Sequence, residues 1–333
     1  MASNGKDSRT SHGIVKVIVR AAVTLLMVTV LNFTLFRVLP GDATSLLLGG
    51  ARAAVSNEQI EAQRRNWGLD KPIFPNQLLD YMQATARGDL GYSFKFRGQR
   101  VSDLLLERLP ATIALVGVAQ IIAILCGVML GIYAGWRRGG VIDNVATSVA
   151  LALYSTPAFW LGMVSVVIFS TALAWFPAYG AYSPGVSTEF LDRIVDYLRH
   201  LVLPASTVAL GLIGQYVLVA RAAMSDVVSE DYMVTARAKG LTSGQMLMRH
   251  GFRNAMLPVV TLVTLNLGYV VAGAITVESV FAWPGVGGLT VEALNARDYP
   301  VLQGVFLLLG ASIVVANLIA DLAYGILDPR VKQ

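Results

Sequence analysis

The sequence predicts an all-α polytopic membrane protein. It has six transmembrane helices, cytoplasmic N and C termini, and a large extracytoplasmic segment between helices 1 and 2. Three observations predict this. The chain of 333 residues is 55% hydrophobic and only 14% charged, with a mean hydropathy of +0.60, the balance of a protein that lives in lipid. Its apolar residues gather in runs at 21–36, 111–136, 145–175, 201–220, 255–277 and 301–320, against the roughly 20 residues a helix needs to cross a bilayer. Basic residues flank these runs in the alternating pattern expected when positive charge stays inside.

Residues 1–13 are polar and form a cytoplasmic tail. Lys16 and Arg20 precede the apolar core of the first span, 14–39. A secretory signal has the same basic-then-apolar order, but Arg37, Pro40 and Asp42 stand where small residues would mark cleavage. A retained helix is therefore predicted. Residues 40–109 follow as the extracytoplasmic segment. Ser56 to Gln59 has capping-box spacing, predicting a helix to about Trp67. Pro75 suits a first helical position, with Leu78, Tyr81, Met82 and Thr85 continuing at helical spacing. Gly88-Asp89-Leu90-Gly91 breaks that helix. The positive charges of this segment do not place it inside, because loops longer than about 60 residues escape the positive-inside bias.

Residues 110–326 form the transmembrane core. The run 111–136 is uncharged and ends on Arg137-Arg138, marking the inside. The run 145–175 is too long for one straight span and carries Pro157 in its middle, so a kink, tilt or extension is expected at Ser155-Thr156-Pro157. Residues 176–200 read as a second outer loop, with Pro177, Gly180, Pro184 and Gly185 as turn signals. The run 201–220 returns the chain inside at Arg221. After the fifth run, Glu278 and the loop FAWPGVGGL lie outside, followed by Glu292, Arg297 and Asp298. The sixth run ends near Asp321, and 327–333 form a cytoplasmic tail. Cys126, the only cysteine, excludes an intrachain disulfide and is expected to pack as a small hydrophobe.

The most informative stretch is 224–258, a polar interruption between two spans. A helix signal runs to Ala238 and breaks at Gly240. Thr242 to Gln245 then has capping-box spacing, in which a Thr oxygen and a Gln side chain satisfy each other's helix-end amides. Met246, Leu247, Phe252 and Met256 suggest an apolar face, and Arg249, His250 and Arg253 a basic one. This is a short helix-turn-helix at a membrane surface. Read alone, it is equally a basic amphipathic helix resting on anionic lipid.

Val234-Thr235-Ala236, then three residues and Gly240-Leu241, resembles the E-A-A-x-x-x-G loop of permease subunits of bacterial ABC importers. Two positions depart from it, with Val234 and Thr235 in place of the usual Glu and first Ala. The Ile-x-Leu-Pro that usually follows reads His250-Gly251-Phe252-Arg253, with Pro258 further on. The form TARAKGL followed by RHGFRNAMLP is similar to the peptide-permease branch. So are RVLPGDA at 37–43, GDLGYSF at 88–94, STPAFWLGM at 155–163, VESVFAWPGVGGL at 277–289 and NLIADLAYGILDPR at 317–330. Together, in this order, they resemble the B-type permease of dipeptide and oligopeptide importers.

That resemblance implies a type I ABC importer permease fold in the bacterial inner membrane, half of a translocation pathway. It implies as partners a second, C-type permease, two ATP-binding subunits or domains and an extracytoplasmic substrate-binding protein. It also implies that the loop docks on the ATPase through Thr235, Ala236, Gly240, Leu241, Met246, Arg249, His250 and Arg253, with Ala236 small for close packing there. No G-x-x-x-x-G-K-[ST] sequence is present in the chain, so ATP and Mg are expected in the partner subunits, with no cofactor, metal or catalytic residue here. A basic balance of +5 distributed by topology needs no nucleic acid.

Within the spans, Gln120, Gln215, Asn266 and Asn317 are the pathway candidates, because an unpaired polar group in hydrocarbon is costly. The competing reading is interhelical hydrogen bonding. Pro157, Glu278, Pro284 and Asp321 are expected to have structural or gating roles, the two carboxylates sitting at span ends where water solvates them. A proton-coupled transporter would need an ionisable group near the bilayer midplane, and the predicted spans place none there. A scaffold without a solute path is the rival of another class. Nickel, glutathione, haem and oligosaccharide importers share the same permease type.

Overall fold

The computed structural model describes residues 4–38, 71–96, 98–269 and 275–327, with side chains over 17–36, 71–96, 98–266 and 275–319. Apolar runs become helices. In chain order these are α1 Asn4–Val38, α2 Leu78–Ala86, α3 Val101–Trp136, α4 Val141–Ser155, α5 Ala158–Ala172, α6 Phe190–Val228, α7 Asp231–Ala238, α8 Ser243–Met246, α9 Arg253–Tyr269, α10 Ile275–Val280, α11 Val286–Ala296 and α12 Tyr299–Leu327. Among the described residues no strand forms, only an isolated bridge between Tyr92 and Arg100. Among the described residues, four helical stretches are long and apolar enough to cross a membrane: Val17–Phe36, Val101–Trp136, Phe190–Val228 and Tyr299–Ile319. The bent pair α4 and α5 makes a fifth if taken as one span. The run 255–277 and the helix expected up to Trp67 lie partly or wholly outside the described residues, as does the side chain of Asp321.

The chain divides into two units, Met1–Pro110 with Leu289–Gln333, and Ala111–Gly288. In the first, α1 lies along α12. Asn32 donates to Gln303 O at 2.9 Å and to the Tyr81 hydroxyl at 3.2 Å, tying α1, α2 and α12 together. Gly88 and Gly91 end α2 with φ of +75° and +81°, conformations that cost glycine nothing. The GDLGYSF motif then has a visible task. Ser93 Oγ and the amides of Phe94 and Lys95 donate to one carboxylate oxygen of Asp298 at 2.5, 3.1 and 3.0 Å. The other oxygen accepts from Val301 N at 3.4 Å. Asp298 thus caps α12 while pinning the motif, and its complete burial is offset by these donors.

In the second unit the core sits where α3, α6 and α9 meet. Val128, Ile132, Tyr216, Ala220, Met224, Ala255 and Val259 are buried together there. Glycines on α3 allow this approach. A Cβ on Gly127 would lie 2.7 Å from Tyr216 Cβ, one on Gly131 2.6 Å from Val217 O, and one on Gly135 2.5 Å from Arg221 O. The i, i+4 spacing puts all three on one face of α3. At the Ser155-Thr156-Pro157 step the chain bends by 98°. Thr156 and Pro157 are extended, with ψ of 128° and 130°, because proline bars the preceding residue from the helical region.

Several boundaries differ from the sequence reading. Helix α3 begins at Val101, within the segment assigned to 40–109, because Val101, Leu104 and Leu105 already bury an apolar face. Residues 190–200, read as loop, are the first turns of α6. The loop after Glu278 is short, since α11 starts at Val286. Cys126 is exposed on the chain's surface and does not pack internally. The apolar run around it has two sides, and Gly127 and Val128 take the inner one.

Candidate functional site

The stretch 224–258 folds as a compact turn between α6 and α9. Helix α7 ends at Ala238, and Gly240 turns the chain with φ +78°. Thr242 Oγ1 accepts from Gln245 N at 3.3 Å, and Gln245 Oε1 accepts from Thr242 N at 3.0 Å, completing the capping box. Helix α8 widens into a π-helical turn, Leu247–Phe252, that leads into α9. Asn254 bridges the two arms, donating to the Tyr232 hydroxyl at 3.0 Å.

The apolar side faces the chain itself. Met233, Ala236 and Met246 are buried together, with Trp136, Val227 and Leu241 against them. Burying each methionine contributes about 1.5–3 kcal/mol. Leu247, Phe252 and Met256 pack onto the α3–α6–α9 core. Ala236 is only 5% exposed, so its small size serves its own chain. The expected close packing of Ala236 on a partner is therefore corrected: a residue already enclosed by two methionines offers no surface. The exposed side carries Val234, Thr235, Arg237, Lys239, Gly240, Met248, Arg249 and Arg253, with His250 half-buried. Val234 and Met248 are 67% and 64% exposed.

Three of the four pathway candidates come together. Gln120, on α3 and 4% exposed, donates to the Tyr216 hydroxyl. Asn266 on α9 donates to the same oxygen at 3.2 Å and to Gln215 Oε1 at 3.3 Å. The arrangement is an interhelical tie across α3, α6 and α9, with amide orientations set by the hydrogen-bond network. Asn317 lies on α12 in the other unit and faces outward.

Glu278 departs from expectation. It is fully buried rather than solvated at a span end. Oε1 accepts from Thr112 Oγ1 at 2.8 Å and Oε2 from Gly288 N at 3.1 Å. Thr112 Oγ1 in turn accepts from Val286 N at 2.8 Å. Trp283 Nε1 donates to Ala111 O at 2.9 Å. The half-buried Pro284 sits in the turn between these contacts. The folded FAWPGVGGL segment, which closes over the carboxylate, is what removes it from water. Sequence reading also missed Tyr216, Thr112 and the Asp143–Arg221 pair. Arg221 had a signal, a charge at a span end, but nothing in the spacing named its partner.

Residues 127–333 match the family described as binding-protein-dependent transport system inner membrane component, and residues 12–116 match its N-terminal region. A Brucella abortus (strain 2308) protein ascribed to a peptide transport system as its permease is 40% identical over 319 residues, 96% of this chain and 98% of that one. The di/tripeptide transport system permease protein DppB of Pseudomonas aeruginosa (strain UCBPP-PA14) is 36% identical, covering 93% of this chain and 95% of its own. Escherichia coli (strain K12) has a dipeptide transport system permease protein DppB that is 37% identical over the same shares. Among solved structures, the inward-facing MetNI methionine ABC transporter superposes with a TM-score of 0.54 at 16% identity, covering 68% of this chain and 96% of that chain. The chain belongs to the binding-protein-dependent transport system inner membrane component family. It is a multi-pass membrane permease component rather than a catalytic subunit, with a permease fold of the ABC importer type.

Proposed function

We propose that this chain is the B-type permease of an ATP-driven importer of di- and oligopeptides in the bacterial inner membrane. It crosses the membrane six times with both termini cytoplasmic. It forms half of the pathway with a C-type permease. Two ATP-binding subunits or domains hold ATP and Mg, and a substrate-binding protein delivers the solute outside. Closure of the ATPases on ATP pushes the loop 224–258, and the attached helices swing the pathway between outward and inward access.

One observation carries the reading. The loop is folded on its own chain, yet it leaves Val234 and Met248 exposed, as it does Arg237, Lys239, Arg249 and Arg253. A lipid-resting helix would turn its apolar face outward, whereas here Met233, Met246, Leu247 and Phe252 face inward. An exposed side that carries both apolar and cationic side chains suits a protein surface with acidic groups. The peptide assignment draws on the names of the relatives.

The test uses Gly240→Val, strained at φ +78°, and Val234→Glu on the exposed side. Both are expected to insert normally, to lose co-purifying ATPase subunits and to abolish uptake, while capture by the separate binding protein stays normal. Wild-type co-purification and uptake in both variants sink the reading. The chain purified away from ATPase subunits is expected to hydrolyse no ATP above background. Mass spectrometry of solute retained by the purified complex separates peptides from a nickel chelate, glutathione or haem.

A further inference from the structure

We infer that Asp143 and Arg221 are positioning residues for transport. They lock α4 onto α6, so that displacement of the docking loop carries α3, α4 and α6 as one block. The inference rests on the proposed docking role of 224–258.

The pair is built with care on both sides. The Asp143 side chain is 1% exposed and the Arg221 side chain 34%. Arg221 Nε donates to Asp143 Oδ1 at 2.7 Å and Nη2 to Oδ2 at 2.9 Å, the two-pronged geometry that fixes direction as well as distance. Gly139 N adds a third donor to Oδ2 at 2.9 Å, and Thr147 Oγ1 a longer one at 3.4 Å to Oδ1. Next to it, Arg138 Nη1 donates to Ser229 Oγ at 2.5 Å and to Ser225 O at 3.4 Å. The α3–α4 turn is thus fastened to α6 at two heights. Capping the start of α4 needs only a carboxylate near local amides. It needs no arginine from 78 positions along the chain.

The pair lies towards the loop end of a continuous seam. Glycines 127, 131 and 135 set α3 against residues 213–224 of α6. On the other flank a Cβ on Gly214 would lie 2.5 Å from Ala150 O of α4. Three residues past Arg221, Met224 is fully buried and its methyl would meet a Cβ on Gly251 of the loop at 2.5 Å. Force on the loop therefore enters α6 at Met224, beside Arg221, and passes to α4 through Asp143. Backbone-close packing does not deform gradually, so the three helices shift together. At its far end α4 stops at Ser155, where the 98° bend before Pro157 interrupts the helix. The helix that the pair locks ends at that joint, and α5 beyond it is held separately, by Val166 against Leu203 of α6 and Val277 and Phe281 near α10.

The experiment uses the complete importer reconstituted in vesicles with its ATPases and binding protein. The readout is solute imported per ATP hydrolysed. Asp143→Asn and Arg221→Gln are expected to assemble and hydrolyse ATP at wild-type rates, with import per ATP reduced about five-fold or more, the lower range of energetic coupling between sites. A residue that merely stabilises would lower complex yield and leave this ratio unchanged, and that result overturns the inference. If the neutral variants do not assemble, Arg221→Lys is read instead. It keeps the charge and loses the fork, so an unchanged ratio there overturns the inference and a reduced one supports it. Gly240→Val run in parallel separates the two readings. Wild-type docking and uptake in that variant and in Val234→Glu remove the docking reading. A wild-type ratio in the Asp143 and Arg221 variants beside an uncoupled Gly240→Val removes only the lock.

Discussion

At Gly285 and Gly287 there is no room for a side chain, because the carboxylate of Glu278 occupies it. A Cβ on Gly285 would overlap both Glu278 Oε2 and Thr112 Oγ1, and one on Gly287 would lie 2.7 Å from Ile275 Cα. Gly285→Ala is therefore expected to destabilise by about 1–3 kcal/mol through overpacking. Gly244→Ala, whose Cβ meets nothing within 4 Å, is the control and should leave the melting temperature of the detergent-solubilised protein unchanged or slightly raised. Equal melting temperatures in the two variants would show that the buried carboxylate is not held as described. Tyr216→Phe is the second test at this scale. It removes the oxygen that accepts from Gln120 and Asn266. Intramembrane hydrogen bonds contribute about 0.6 to 1.7 kcal/mol each, so a lower melting temperature is expected. No change would mean that the amides find other acceptors. Gln120, Gln215 and Asn266 were legible in the sequence as amides in apolar runs. Their meeting point was not, because Tyr216 reads as one more aromatic on a helix face. Glu278 was misread for a related reason: its distance from the end of a run said nothing of a folded segment above it.

Among the elements, those punctuated by backbone chemistry were the most legible. Gly240, the Thr242–Gln245 box and the Pro157 break each act over fewer than five residues, and each is formed as the spacing implies. Starts of helices were less so. Val101 and Phe190 begin α3 and α6 about ten residues before the apolar runs at 111 and 201, because helices persist past lipid-like sequence when one face is buried, as at Leu104, Leu105 and His200. The loop of 224–258 gives the prediction proper to this scale. Its turn is held by the capping box, so Thr242→Ala should cost about 1 kcal/mol. That loss is local, and it should appear as faster amide exchange in α8, with uptake reduced only at elevated temperature. Ala236→Trp is a different perturbation. With Ala236 enclosed by Met233 and Met246, a tryptophan must break the cluster, and exchange should rise in α7 and α8 together. Unchanged exchange in α7 would contradict the packing of that cluster.

For the whole molecule the testable quantity is which side of the membrane each connection occupies. Arg137 and Arg138 close α3, and Arg237, Lys239, Arg249 and Arg253 crowd the loop between α6 and α9. Short connections rich in Lys and Arg remain cytoplasmic. Between them the chain passes through the bent pair α4 and α5 and returns by α6, whose 39 residues amount to about 58 Å at 1.5 Å per residue. That length exceeds the roughly 30 Å hydrocarbon core, so α6 projects well into water. Its polar ends, Asp192 to Arg199 and Arg221 to Asp226, are therefore expected on opposite sides. The same alternation predicts Asp89 and Gly185 outside. Single cysteines at 89, 137, 185 and 249, in a Cys126→Ser background, give the measurement. The background is needed because Cys126 is exposed on the chain's surface and could itself react. In intact cells an impermeant thiol reagent is expected to label 89 and 185, and to reach 137 and 249 only after the membrane is opened. Labelling of 137 from outside, or of 185 only from the cytoplasm, would invert α6. The cationic loop would then face away from any ATPase, and the docking role argued for it would fall with the topology.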